Sequence, residues 1–161
     1  MPQPLMNRQE AHAADQEPLM KFETTRAIPA TPAAVFAAFA DARRLARWWG
    51  PAGFTNTFEL CDFRPGGDWV FVMHGPDGAN YPNRSRFADI EPDRRITIDH
   101  VSEPRFRLTV TLTPLSDWAT RVDWEQVFES ADLARQIEHI VTPANEQNLD
   151  RLTVEVTQEP S

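Results

Sequence analysis

The chain has 161 residues, 41% of them hydrophobic, and a formal net charge of −8, which suits one domain with a core that buries roughly two thirds of the unfolded surface. The excess acid repels phosphate backbones, which excludes nucleic-acid binding through a basic face, and no stretch approaches the roughly 18 apolar residues of a membrane span. Cys61 is the only cysteine, so an internal disulfide is excluded; with no basic segment followed by an apolar one at the amino terminus, the cytoplasm is the expected location.

Residues 1–19 mix Pro, Gln, Ala and charges without a sustained apolar period. They read as a flexible tail, and the domain is placed at 20–157. KFETTRAI then alternates Phe22, Thr24, Arg26 and Ile28 against Lys21, Glu23, Thr25 and Ala27, the pattern of a first strand. Thr31 followed by Pro32 starts a helix, with Thr as N-cap and Pro at the first helical position, where its missing N–H costs nothing. Asp41 caps a second short helix carrying Leu45, Trp48 and Trp49, which Gly50-Pro51 stops.

Strand signals fill the middle of the chain at about 54–62, 68–74, 84–90, 95–101, 105–113 and 119–128. Turn chemistry separates them, as in Pro65-Gly66-Gly67 and Gly75-Pro76-Asp77-Gly78. Their spacing of roughly 10–14 residues leaves no room for a crossover helix, which points to an antiparallel meander and excludes a parallel α/β sheet. Alternation assigns one face: Phe106, Leu108, Val110 and Leu112 stand together, as do Trp69, Phe71 and Met73. Ile96, Ile98 and His100 join them, with Val122, Trp124, Gln126 and Phe128. By the same count Cys61 falls opposite Phe58 and Leu60, and Asp62 extends the Phe58 face. The last segment starts at Ser130, a good N-cap, and carries Leu133, Ile137, Val141, Asn145, Leu149, Leu152 and Val156 on one helical stripe. Thr142-Pro143 predicts a kink or restart within it.

A strand, two short helices, six antiparallel strands and one long helix are the parts of an α+β helix-grip fold. In that fold a curved sheet of about seven strands wraps a carboxy-terminal helix. The stretches TPAAVFAAFADARRLARWWGPAGF, DFRPGGDWVFVMHGPDG, IEPDRRITIDH and NLDRL closely resemble the START-like (SRPBCC) superfamily, in the branch named after the activator of the ninety-kilodalton heat-shock protein ATPase. The resemblance covers about residues 20–155. It implies a hydrophobic ligand enclosed between sheet and helix, since the wider superfamily binds such ligands; a minority of members are cyclases, hydrolases or dehydratases. At this length the further amino-terminal domain of the eukaryotic co-chaperone is not expected. Many relatives place Gly-Trp ahead of the final Leu-Asp-Arg-Leu, where this chain has Ala144 and Asn145. A buried amide at that place costs roughly 1–3 kcal/mol unless it finds a partner.

The candidate site follows from the inner face. Trp69, Phe71, Met73, Phe106, Leu108 and Trp124 line an apolar pocket, with Val141 and Leu149 from the helix stripe and with His100, Gln126 and Asn145 as orienting polar groups. Trp48 and Trp49 are adjacent on a helix, so their rings point about 100° apart. Either one packs in the core and the other stands at the pocket rim or faces a partner, or both cover the ends of the sheet. His100 is the weak candidate for a general base; the commoner role of a lone histidine on an apolar face is a satisfied core residue. No ligand-spaced His or Cys cluster, nucleophile motif or phosphate-binding glycine loop occurs, so no metal or cofactor is expected. Three readings follow: binding of a small hydrophobic molecule, a cyclase- or hydrolase-like enzyme using His100 in the same cavity, and a protein-binding module. The last docks a chaperone or a second copy of the chain through Trp48 or Trp49.

Overall fold

The computed structural model describes residues 20–158; the tail assigned to 1–19 lies outside them. The elements are β1 (Met20–Ile28), α1 (Pro32–Ala40), α2 (Ala42–Trp48), β2 (Thr55–Cys61), β3 (Asp68–His74), β4 (Asn80–Glu91), β5 (Arg95–His100), β6 (Phe106–Ser116), β7 (Ala119–Phe128) and α3 (Ala131–Thr157). The strands form one antiparallel, curved sheet in the order β1-β7-β6-β5-β4-β3-β2. A meander runs from β2 to β7, and β1 closes the far edge against β7 through nine register pairs from Met20↔Phe128 to Ile28↔Thr120. The concave face holds the core, and α3 lies across it.

Local chemistry sets the helix ends. The Thr31 hydroxyl accepts from Ala34 N–H, with Pro32 at the first turn of α1; Asp41 accepts from Arg43 N–H at the start of α2; Ser130 accepts from Leu133 N–H at the start of α3. α3 does not restart at Thr142-Pro143. It is assigned as one helix of 27 residues with Pro143 inside it, so the loss of one backbone hydrogen bond there is outweighed by packing along both halves.

Two strands extend past their expected limits through prolines. β4 begins at Asn80 and includes Pro82, paired with Val72. Its β5 neighbour reaches no further than Ser85↔His100, so the backbone nitrogen of Pro82 owes no bond on that side. β6 likewise runs through Pro114, beyond its last β5 pair at Thr111↔Arg95. A bulge between Phe58 and Leu60 reverses the assigned faces in β2. Cys61 stands opposite Trp69 and packs on the core, whereas Leu60 is exposed; a single extra residue inverts the alternation beyond it. The Pro65-Gly66-Gly67 turn leads into β3, and a Cβ on Gly67 would sit 1.9 Å from the Asp62 carbonyl oxygen, so only glycine fits.

Charged side chains tie α3 to its surroundings at three places. Arg26 on β1 donates to Glu146 at 2.9 Å and to Asp150 at 2.7 Å. Glu155 accepts from Arg44 at 2.9 Å and from Arg47 at 2.7 Å; burial pushes its carboxyl up, but the two arginines outweigh this and hold it below the usual range.

The third tie is Arg151. Its Nη1 donates to the carbonyls of Trp49 (3.3 Å), Gly50 (2.9 Å) and Pro51 (2.8 Å). Its Nη2 donates to those of Arg47 (2.7 Å) and Phe54 (3.0 Å). Arg151→Met takes the guanidinium from all five, leaving Trp49 O with Asn56 and Pro51 O with the Phe54 N–H, and is expected to cost about 2–4 kcal/mol in urea unfolding followed by circular dichroism. Arg151→Lys, with a point charge in place of a planar fork, should recover less than half of that. A loss under about 0.5 kcal/mol in the Met variant would remove the clamp from the account.

Candidate functional site

The residues assigned to the pocket do converge on the concave face, but most are closed off. Trp48 (1% exposed), Trp49 (8%), Trp69, Phe71, Leu108, Trp124 and Leu149 belong to one buried cluster. Met73 and Phe106 pack against that cluster while part-exposed. Val141 packs on a neighbouring cluster built from Phe22, Phe128 and Ala134. Asn145 finds the partner its position requires: its Nδ2 donates to Gln126 Oε1 at 3.0 Å, so two of the three orienting polar groups satisfy each other.

The expectation that one ring of the Trp48–Trp49 pair stands at a rim or faces outward is corrected here, because both are buried. α2 ends at Trp48, and Trp49 has φ −67° and ψ 134°, an extended conformation. The 100° offset of successive helical residues therefore does not apply between them. Gly50 then takes φ +100° and turns the chain away; a Cβ there would meet Met73 Cε at 2.8 Å. Trp48 packs edge-on to Phe39 with ring centroids 4.8 Å apart and donates its indole N–H to Ala38 O at 3.0 Å. Trp49 wedges between three rings: Trp48 at 5.6 Å, Trp69 at 5.0 Å and Trp124 at 6.0 Å.

The backbone that carries this wedge has its carbonyls taken by side chains. Asn56 Nδ2 donates to Ala46 O at 3.0 Å and Trp49 O at 2.9 Å. Asn148 donates to Trp48 O at 3.2 Å, Arg151 takes the five described above, and Ala52 N–H donates to Gln147 at 3.0 Å. The carbonyls that α2 leaves open at its end are thus met by β2 and α3. Sequence reasoning assigned no role to Asn148 or Arg151. Asn148 precedes Leu152 by four residues and so shares its face, a spacing that marks it as an inward amide.

His100 is 8% exposed and stacks on Phe106 at 4.6 Å. Its Nδ1 donates to Pro104 O at 2.7 Å, and Nε2 abuts the Asn83 side-chain oxygen. Nδ1 already carries its proton and the Asn83 side chain covers Nε2, so neither nitrogen opens onto a substrate. Burial pulls the imidazole below its ordinary pKa and outweighs the backbone contacts of Pro104 and Ser102 and the charge of Glu103, which pull it up. His74 bridges Thr57 and Asn80 on the outer face, and His139 is exposed. Asp99 pairs with Arg107 at 2.7 Å, away from the core. Burial pushes the Cys61 thiol up to about 11, so it is not a thiolate nucleophile at neutral pH. Among the described residues no three His, Cys, Asp or Glu side chains gather as a metal site, and no helix is long and apolar enough to cross a membrane.

A hollow of about 330 Å³ opens where β5, β6 and β7 end, lined by His100 and Phe106 together with Arg105, Arg107 and Glu129. A wider one of about 770 Å³ lies between the start of α1 and the β4–β5 and β6–β7 turns. None of the assigned pocket residues lines the wider hollow.

Residues 29–157 match the family described as Activator of Hsp90 ATPase homolog 1-like protein. The fold also recurs in solved structures. A protein from Arthrobacter aurescens is 26% identical, with a TM-score of 0.79 and 88% of each chain covered. One from Chromobacterium violaceum is 27% identical, with a TM-score of 0.74, covering 87% of this chain and 99% of the other. An AHSA1-like protein from Aeromonas hydrophila is 20% identical at a TM-score of 0.66, covering 88% and 99%. No curated protein matches the chain.

The direction of the His100 shift gives a pH test. With the folded pKa below the unfolded value of about 6.5, the unfolded chain binds the extra proton first, so stability is complete above about pH 6.5 and falls as pH drops toward the folded pKa. Wild type should lose more stability between pH 7 and 5.5 than His100→Gln in parallel urea titrations. Equal losses would show that His100 is not held neutral by burial.

Proposed function

Because the chain belongs to the family of Activator of Hsp90 ATPase homolog 1-like proteins, whose helix-grip fold commonly binds hydrophobic ligands, we propose that it binds a small hydrophobic molecule between the concave sheet and α3. It does so in the cytoplasm and without a metal or cofactor. The observation that carries the reading is the position of Trp49. It is the one ring of the tryptophan cluster borne by a loop, and it stands between rings of α2, β3 and β7. The ligand occupies the place that Trp49 fills in its absence. Entry runs past the part-exposed Met73, Phe106 and Val141, with the Asn145–Gln126 amide pair beside it.

Affinity on this reading is a difference. Burying the ligand gains about 25 cal/mol per Å² of apolar surface, and exposing a large side chain returns about 1.5–3 kcal/mol of it. The wedge therefore weakens binding and keeps the unliganded protein folded. Catalysis by His100 has less support, since both its ring nitrogens are engaged. Docking of a partner or a second copy through Trp48 or Trp49 lacks an exposed ring there.

Calorimetric titration with 2-ethylnaphthalene tests the proposal. Trp49→Ala should lose about 3–5 kcal/mol of stability yet bind the probe about tenfold or more tightly than wild type, because no ring has to move. Absence of binding to both proteins, by this probe and by an analogue that carries a polar group, would refute a ligand site behind Trp49.

A further inference from the structure

Two donors in the tryptophan cluster have no acceptor. The indole N–H groups of Trp69 (0% exposed) and Trp124 (2%) find no hydrogen-bond partner among the described residues. Trp48, in the same cluster, does place its N–H on a carbonyl. Buried donors are paired in nearly all folded proteins, and an exception calls for an account. Both rings flank Trp49, at 5.0 and 6.0 Å, so both donors belong to the residues around the place assigned to the ligand. A contact from N–H to the face of a neighbouring ring is a weak substitute for an oxygen.

We propose that the ligand is a neutral, mainly apolar molecule carrying a ketone, ester or ether oxygen, which accepts a hydrogen bond from the indole N–H of Trp69 or Trp124. This deepens the reading of a small-molecule site behind Trp49 and rests on it. An indole N–H is a donor only, so it selects for an acceptor and offers nothing to an ammonium group. A hydrocarbon leaves both donors unpaired. A carboxylate finds no uncommitted countercharge: the buried polar residues Ser85, Thr97, His100, Thr120, Gln126 and Asn148 include no lysine or arginine, the part-buried guanidinium of Arg151 is taken up by five backbone carbonyls, and the chain carries a net charge of −8.

The test compares three probes of one shape, 2-acetylnaphthalene, 2-ethylnaphthalene and 2-naphthoate. Each is titrated by calorimetry into wild type, Trp49→Ala, Trp69→Phe and Trp124→Phe. The ketone should bind wild type about fivefold or more tightly than the ethyl compound, and naphthoate should bind least. That preference should vanish in Trp69→Phe or Trp124→Phe, which keep a ring and lose the donor. A second measurement needs no core variant: in the wild-type ¹H–¹⁵N spectrum, the indole signal of Trp69 or Trp124 should move downfield with the ketone and not with the ethyl compound. Equal binding of ketone and ethyl compound, with unmoved indole signals, overturns the acceptor inference and leaves the site standing. Tightest binding by naphthoate overturns the neutral class. No binding of any probe to wild type or Trp49→Ala overturns both the site and this inference.

Discussion

A guanidinium that meets no carboxylate among the described residues organises the interior of this protein. Arg151 reaches from α3 to five backbone carbonyls between Arg47 and Phe54, and its charge lies at the end of α2, where the helix dipole favours a cation. Burial pulls its pKa down, but arginine stays protonated at any pH the fold survives. The planar fork does what a lysine cannot, since it presents several donors in fixed directions to carbonyls that already curve around it. With Asn56 and Asn148 taking the neighbouring carbonyls, the turn after α2 becomes a fixed part of the structure.

The consequence is that two adjacent tryptophans enter one core. Trp48 fills the space between α1 and α2 against Phe39. Trp49, released from the helix by its extended backbone, crosses to the sheet and touches Trp69 and Trp124. The space between sheet and α3 thus holds one of the chain's own rings. The ring is held by hydrogen bonds to its loop's backbone and by edge-to-face contacts, and neither anchors the side chain covalently or by charge. The most closed part of the molecule thus depends on a segment without helix or strand of its own.

Much of this architecture is legible in the amino-acid order. Thr31-Pro32, Asp41 and Ser130 name the starts of the three helices because capping is a local interaction. The bulky alternation of β3, β6 and β7 names the concave face because strand period is local too. What fails to show is set by geometry between elements. The bulge after Phe58 turns Cys61 inward by one residue of slippage, and Pro82 is tolerated only because β5 is short beside it. Pro143 sits in a helix that packing carries through it. At the candidate site, the set of inner-face rings and the need of Asn145 for a partner are readable. The burial of Trp49 and the role of Arg151 are not, since both depend on where the chain leaves α2.

The most direct measurement of the central claim is the ¹⁹F spectrum of 5-fluorotryptophan-labelled protein, taken in H₂O and D₂O, for wild type and for folded Arg151→Met. In wild type the account predicts a solvent isotope shift for Trp118, which is 69% exposed, and none for Trp48, Trp49, Trp69 or Trp124; in Arg151→Met the Trp49 signal should gain one. A solvent-sensitive Trp49 in wild type, or a Trp49 signal that Arg151→Met leaves untouched, would contradict it.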